Sequence, residues 1–111
     1  MKTSPTQRSL KLLRAGGYSA AVVEHWNPFA HIRQDLFNWI DIVACHPTPP
    51  GILGVQTTTR ANMNARLLKA RENVHLKNWI GAGGRLLIHG WVKRGARWEC
   101  SDREIAWEDL E

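Results

Sequence analysis

The amino-acid sequence predicts one α/β domain in which helices pack on an open mixed sheet in three-layer fashion. Its 111 residues suit a single domain over 1–111, and a content of 43% hydrophobic and 23% charged residues is typical of a globular chain. Glycine and proline divide the chain into segments with helical or strand-like apolar patterns. The resulting order is α-β-β-β-α-β-β, which an open mixed sheet flanked by helices accommodates economically.

Each predicted element is bounded by residues that interrupt regular structure. In chain order we predict a helix over 6–15, strands over 18–26, 39–45 and 52–58, a helix over 62–80, a strand over 85–92 and at least one further strand within 97–107. Residues 31–37 are either a short strand or the arm of a bend. Thr6 is the candidate cap of the first helix, and the second helix is expected to break near Asn73.

The distribution of charge favours a polyanionic partner. The net charge is +5, and residues 1–98 contain 14 Lys and Arg against four acids. The C-terminal segment 99–111 contains six acids and one Arg. A basic body of this kind favours nucleic acid, with DNA the first candidate, although a basic surface without a partner is the plain alternative. The acidic segment either shields the basic surface or packs elsewhere.

Hydropathy argues against a membrane protein and against secretion. No run approaches the roughly 18 apolar residues of a membrane helix, and no apolar segment follows the N-terminus as in a secretory signal. We therefore expect a cytoplasmic, intracellular protein. In that reducing environment Cys45 and Cys100 are expected to be small buried side chains, with a disulfide the less favoured alternative.

A candidate metal site follows from treating 39–45 and 52–58 as an antiparallel hairpin. With a symmetric loop between them, paired residue numbers sum to 97, so Asp41 faces Gln56 and lies on the same face as Thr58. Carboxylate and amide oxygens suit Mg²⁺ or Mn²⁺. The opposite face is expected to carry Ile40, Ile42, Ala44, Leu53, Val55 and Thr57.

This hairpin and the element order resemble the core of PD-(D/E)XK nucleases. In that superfamily an Asp on one strand and (D/E)-x-K on the next bind a metal and orient the attacking water. Ile40-Asp41-Ile42-Val43 resembles the apolar-flanked Asp, and Val55-Gln56-Thr57-Thr58 stands in place of (D/E)-x-K. Gln replaces the second acid, as in some members, and Thr replaces Lys. The resemblance covers residues 6–92 and implies a restriction-endonuclease-like core.

The resemblance also implies roles for particular residues. Asp41 and Gln56 would bind Mg²⁺ or Mn²⁺, and Glu24 is the expected third ligand, with an exposed strand-end carboxylate as the alternative. Asp35 is expected to cap a turn in preference to competing as a ligand. Because Thr58 cannot supply the charge of the family's Lys, another cation must enter the catalytic site or the domain binds without cutting. The candidate cations are Lys69, Arg66 and Arg60.

Two basic segments are candidates for contacts with a nucleic-acid backbone. The first comprises Arg60, Arg66 and Lys69 on and before the second helix. The second is the turn that carries Lys93, Arg94 and Arg97. Trp91 and Trp98 flank that turn and are expected to be core residues or a cross-strand pair, or else to place an indole near bases.

Three functions are consistent with these patterns. The favoured one is a metal-dependent endonuclease, a hydrolase of phosphodiester bonds. The second is a nucleic-acid-binding module of the same fold that does not cut. The third is a protein-interaction domain, a homodimer, because six Trp among 111 residues leave room for an exposed aromatic patch.

Overall fold

A five-stranded mixed sheet lies at the centre of the computed structural model, which describes residues 3–111. In chain order its helices and strands are α1 (Pro5–Ala15), β1 (Ser19–Val22), β2 (His25–Asn27), β3 (Ile32–Gln34), β4 (Ile42–Cys45), β5 (Leu53–Thr59), α2 (Met63–Arg71), α3 (Val74–Gly81), β6 (Arg85–Arg94) and β7 (Arg97–Ile105). Short 3₁₀ helices span Arg60–Asn62 and Trp107–Leu110.

The strands of the main sheet follow the order β1-β4-β5-β6-β7. β5 and β6 are parallel, and the other neighbouring strands are antiparallel. The parallel pair needs a crossover, which α2 and α3 provide on one face of the sheet. α1 covers the other face, and the predicted α/β class with a mixed sheet is confirmed.

Two apolar clusters fill the space between the sheet and its helices. On the α1 face the cluster comprises Leu10, Leu13, Ile42, Ala44, Leu53 and Val55. On the α2 and α3 face it comprises Trp39, Ile40, Leu67, Ala70, Leu76, Leu86, Ile88, Ile105 and Leu110. Each face of the sheet is therefore anchored by its own helices, as alternating strand side chains require.

The predicted register of the central hairpin is confirmed. Ile42 pairs with Val55 and Ala44 with Leu53, so the paired numbers sum to 97. β4 nevertheless begins at Ile42, not at residue 39. The backbone N–H of Asp41 donates to the carbonyl of Val55 at 2.8 Å, so Asp41 and Ile42 both face Val55, as in a β-bulge.

The bulge explains why Ile40 lies on the face opposite to the predicted one. An extra residue shifts the alternation of side chains by one, so Ile40 and Ile42 lie on different faces. The side chain of Ile40 occupies the space next to Gly54, where a Cβ atom would come within 2.7 Å of it. Gly54 is therefore required for close packing.

The strand predicted over 18–26 is in fact two strands in two different sheets. β1 ends at Val22, and β2 pairs with β3 in a separate two-stranded sheet. The Asn27 side chain accepts hydrogen bonds from the N–H groups of Phe29 and Ala30 at 3.0 and 3.1 Å, which closes the turn between β2 and β3. A local hairpin therefore interrupts the main sheet, and the open question about 31–37 is resolved as a short strand.

The helix boundaries agree with prediction except at the first cap. Ser4, and not Thr6, caps α1 by accepting a hydrogen bond from the N–H of Gln7. The predicted break near Asn73 is confirmed, because the Asn73 side chain caps α3 through the N–H of His75. Thr6 instead forms a buried hydrogen bond with Thr57 at 2.9 Å.

The acidic C-terminal segment 99–111 forms most of β7 and then a 3₁₀ helix, and only that helix packs against the α2 and α3 face. Leu110 is buried in the core there, and the Arg71 side chain donates to the carbonyl of Asp109 at 2.7 Å. Arg103 forms an ion pair with the Asp109 carboxylate at 3.2 Å. Both cysteines are free, as expected, but Cys45 is exposed and Cys100 is half-buried, so the expectation that both are buried is wrong.

A buried polar network joins α1 to β6. The hydroxyl of Ser9 lies 2.8 Å from Nδ1 of His89 and accepts the indole N–H of Trp91 at 2.9 Å. Ser9 and His89 are both buried, and burial lowers the pKa of His89. The neutral ring can then accept the proton of the Ser9 hydroxyl at Nδ1, so one side chain satisfies two buried partners.

Replacement of this shared hydroxyl is expected to destabilise the fold. Ser9→Ala leaves one buried donor and one buried acceptor without a partner, which should lower the free energy of unfolding by about 1–3 kcal/mol. Urea denaturation measures the change, and Ser19→Ala on the exposed edge of β1 is the matched control. Equal stability of the Ser9 variant and wild type would contradict the role of this network.

Candidate metal centre

Three carboxylates converge where the small hairpin meets the main sheet. Glu24, Asp35 and Asp41 each offer an oxygen, and these atoms lie within 4.8 Å of one another. Glu24 precedes β2 and Asp35 follows β3, so the pairing of β2 with β3 brings the two together. Asp41 joins them from the bulge before β4. Three segments distant in sequence thus form one oxygen-rich site.

Asp41 is held in place by donors from β5. Its Oδ2 atom accepts hydrogen bonds from the backbone N–H of Thr57 at 2.8 Å, from the Thr57 hydroxyl at 3.0 Å and from the Gln56 amide at 2.5 Å. Because the Thr57 hydroxyl donates to Asp41, the hydroxyl of Thr6 must be the donor in the contact between the two threonines. A chain of hydrogen bonds therefore connects α1, β5 and Asp41.

Two acids of this cluster, Asp41 and Glu24, resist ionisation. Burial, followed by the neighbouring Asp35 carboxylate, raises the pKa of Asp41 to about 7, although the hydrogen bonds from Thr57 act in the opposite direction. Burial and the Asp35 carboxylate likewise raise the pKa of Glu24, while the Arg33 guanidinium, 3.5 Å away, counteracts part of that rise. Like charges at this separation favour either a shared proton or a bound cation.

The donor set fits a hard divalent cation. The atoms offered are carboxylate oxygens, which Mg²⁺ and Mn²⁺ prefer. Gln56 is 97% buried, and its amide oxygen Oε1 has no hydrogen-bond partner among the described residues. All three donors to Asp41 bind its Oδ2 atom. Among the described residues the Gln56 amide oxygen is the buried side-chain oxygen beside the cluster that is left without a protein donor.

A cleft of about 260 Å³ opens over the carboxylates. Among the described residues its lining comprises Pro5, Thr6, Glu24, Asp35, Asp41, Gln56, Thr57 and Arg66. Arg66 is positioned through its backbone, because the buried indole of Trp39 donates to the Arg66 carbonyl at 3.0 Å. The cleft thus combines an acidic floor with one guanidinium group.

The structure places the predicted site residues unequally. Asp41, Gln56 and Glu24 meet at the cleft, as the predicted set requires. Thr58 is buried. Neither Thr58 nor Lys69 belongs to the lining of the cleft within the described part of the chain. Lys69 is exposed on α2, one turn beyond Arg66, so Arg66 is the candidate cation that lines the cleft with the acids.

The preference for Asp35 as a turn cap is wrong. No hydrogen bond from its carboxylate to the turn is seen among the described residues, whereas its backbone carbonyl accepts from the N–H of Asn38 at 3.1 Å. The carboxylate instead lies in the cluster. The mirrored positions of Glu24 and Asp35 about the hairpin turn are the signal that could have found it.

The predicted contacts with nucleic acid separate into free and paired groups. Arg60 and Arg97 are exposed, and Lys93 lines a second cleft beside α1. Arg94 forms an ion pair with Glu99 at 2.9 Å, so its charge is partly neutralised. Trp91 is buried, as expected of a core residue, whereas Trp98 is 45% exposed and is not part of the core.

Comparisons with protein-family models, with curated proteins and with solved structures give no match. Within residues 3–111 no helix has the length and apolar character needed to cross a membrane. Support for a function therefore comes from the geometry and charge of the chain itself.

Neutralising Asp41 is expected to stabilise the protein above neutral pH in the absence of a cation. The folded-state pKa of about 7 exceeds the usual 3.8, so stability falls as the pH rises from about 4 to 7 and stays low above that range. Asp41→Asn keeps an oxygen acceptor for Thr57 without the charge. Urea denaturation should show a gain of about 1–4 kcal/mol at pH 8 that shrinks towards pH 5.

The matched control for this prediction is Glu108→Gln, which removes an exposed carboxylate outside the cleft. It should produce little change at either pH. A gain in the Asp41 variant that is the same at pH 5 and pH 8 would contradict the assigned cause.

Mn²⁺ or Mg²⁺ is expected to raise the melting temperature more at pH 8 than at pH 5.5. Carboxylate ligands must lose their protons to bind a metal, and a ligand that binds only the folded state stabilises it. Asp41→Asn should lose most of the rise, whereas Glu108→Gln should keep it. Thermal denaturation with and without EDTA measures both, and an unchanged rise in the Asp41 variant would exclude this cluster as the metal site.

Proposed function

We propose that this chain is a cytoplasmic, divalent-metal-dependent nuclease with a restriction-endonuclease-like core of the PD-(D/E)XK type. Its substrate is the phosphodiester backbone of nucleic acid, with DNA favoured. The observation that carries the proposal is the convergence of Glu24, Asp35 and Asp41 within 4.8 Å of one another beside Arg66. The antiparallel β4–β5 pair followed by a parallel β6 supports the same core.

Each group at the cleft has a distinct role in this proposal. Glu24, Asp35 and Asp41 would hold Mg²⁺ or Mn²⁺, which when bound supplies an acidified water and charge stabilisation for phosphate displacement. Gln56 and Thr57 orient Asp41 through the three hydrogen bonds to its Oδ2 atom. Arg66 offers a planar pair of donors that matches two phosphate oxygens.

Of the three candidate cations, Lys69, Arg66 and Arg60, Arg66 is the one that lines the carboxylate cleft. The position of the superfamily's Lys is Thr58, which is buried and uncharged. Arg66 on α2 supplies a positive charge at the lining of the same cleft. Arg66→Lys should therefore retain part of the activity, and Arg66→Ala should lose most of it.

A nuclease assay tests the proposal directly. Single-stranded and duplex DNA and RNA are each incubated with protein and Mg²⁺ or Mn²⁺, and cleavage should require metal and stop with EDTA. Asp41→Asn and Asp35→Asn should each reduce the rate by about 100-fold or more, by analogy with loss of one electrostatic group in an active site. Glu108→Gln should cut as wild type does.

The contradicting results are equally specific. If no substrate is cut, or if Asp41→Asn cuts as fast as wild type, the nuclease assignment is wrong. The buried Thr58 then favours the second candidate, a module that binds nucleic acid without cutting it. That module should show salt-sensitive binding that survives Asp41→Asn. The predicted homodimer stays a prediction, and sedimentation would test it.

A further inference from the structure

A second and larger cleft lies between α1 and the β6–β7 hairpin. It encloses about 1000 Å³, and its walls include Arg8, Lys11, Leu12, Trp91, Lys93 and Trp98. Pro5 lines this cleft and also the carboxylate cleft. The two cavities are therefore neighbours on either side of Pro5, at the N-terminal end of α1.

The cleft exists because α1 covers only part of its face of the sheet. The buried side of α1 packs against β1, β4 and β5. The β6–β7 hairpin extends beyond that contact, with its turn at Gly95. Trp91 forms a fixed floor, since its indole is bonded to the buried Ser9 hydroxyl at 2.9 Å. The floor of the cleft is thus part of the buried core.

The lining of this cleft is basic and aromatic. Arg8, Lys11 and Lys93 line it, and no acid does so among the described residues. The guanidinium of Arg8 lies 3.6 Å from the ring centroid of Trp98, whose side chain is 45% exposed. Glu108 and Asp109 belong to the C-terminal 3₁₀ helix, which packs on the opposite face of the sheet. Asp102 lies on the same face as the cleft, beside His89, but does not line it.

This combination matches single-stranded nucleic acid. Cations at the wall of a groove follow a phosphate backbone, and an exposed indole or guanidinium plane accepts an unpaired base by stacking. In a duplex the faces of the bases are already stacked on one another, so Trp98 would have no partner. An acidic peptide would satisfy the three cations but would leave the aromatic plane unused.

We propose that the α1–β7 cleft binds a single-stranded nucleic-acid segment and directs it past Pro5 to the carboxylate cleft. The binding step stands by itself, whereas the direction towards the carboxylates rests on the proposed nuclease function. In this arrangement Lys11 and Lys93 contact phosphates, and a base stacks against Arg8 and Trp98. The segment bound is DNA or RNA, which share this backbone chemistry.

Binding is measured in EDTA, so that it does not depend on metal or on cleavage. Fluorescence anisotropy with a labelled oligonucleotide of about 15 nucleotides, a site size typical of small domains, should show tighter binding of the single strand than of its duplex. Two phosphate contacts, from Lys11 and Lys93, predict a slope of log affinity against log salt of roughly −1.4 for a single strand. Lys93→Glu should flatten that slope and weaken binding about tenfold.

Two pairs of variants separate the cleft from general charge and general aromatic contact. Trp98→Ala should weaken binding about 5- to 100-fold, whereas Trp107→Ala, which removes a similarly exposed indole near the C-terminus, should not. Trp98→Phe should restore part of the affinity. Lys11→Glu should weaken binding about tenfold, and Lys77→Glu on α3 should not. Circular dichroism confirms that each variant is folded.

The outcomes distinguish this proposal from the nuclease proposal. If the duplex binds as tightly as the single strand, if a polyglutamate peptide binds more tightly than either, or if Trp98→Ala binds as wild type does, the cleft assignment is overturned. If Asp41→Asn abolishes cleavage while the cleft variants bind as wild type does, the nuclease proposal is supported and the cleft proposal is overturned. Single-strand binding through Trp98 without any cleavage would support the cleft and overturn the nuclease.

Discussion

Burial of the Asp41 carboxylate is the constraint around which the cleft is arranged. A buried carboxylate is tolerated only when it accepts hydrogen bonds. Here its Oδ2 atom accepts three, from the backbone N–H of Thr57, from the hydroxyl of Thr57 and from the amide of Gln56. Thr6 extends this chain of hydrogen bonds to α1. Through this chain of hydrogen bonds the Asp41 carboxylate helps to fix α1 over the sheet, and it also fixes the orientation of Gln56 and Thr57 in the cleft.

The small hairpin adds two more carboxylates at a location that is unfavourable for folding. Pairing of β2 with β3 brings Glu24 and Asp35 together beside Asp41, where burial and repulsion raise the pKa values of Glu24 and Asp41. Nothing in the packing of an α/β core requires three acids there. An arrangement that opposes stability in the absence of a ligand is typical of a functional site, because the ligand compensates for the repulsion.

The sequence was sufficient to predict that Asp41 and Gln56 lie in the site, but not that Asp35 does. A symmetric loop and period-two alternation, both local properties, predicted that Asp41 and Gln56 lie close together. The bulge places Asp41 opposite Val55, so the two residues meet through their side chains and not as a strand pair. The bulge at Asp41, the split of 18–26 into two strands and the position of Asp35 depend on tertiary contacts, such as the N–H of Val23 donating to the carbonyl of Asp41. Propensity and periodicity contain no information about such contacts.

The same reasoning explains why the cleft beside α1 was missed. Arg8 and Lys11 lie three residues apart on the side of α1 that is opposite Leu10 and Leu13, a pattern that from sequence alone indicates only a solvated helix face. Their significance appears when the β6–β7 hairpin brings Lys93 and Trp98 against that face. Because Pro5 borders both clefts, a strand held by these cations would arrive at the carboxylates from the N-terminal end of α1. Cations line one cleft, whereas three acids and the single guanidinium of Arg66 line the other. The two clefts therefore offer separate places for a polyanion and for a metal ion.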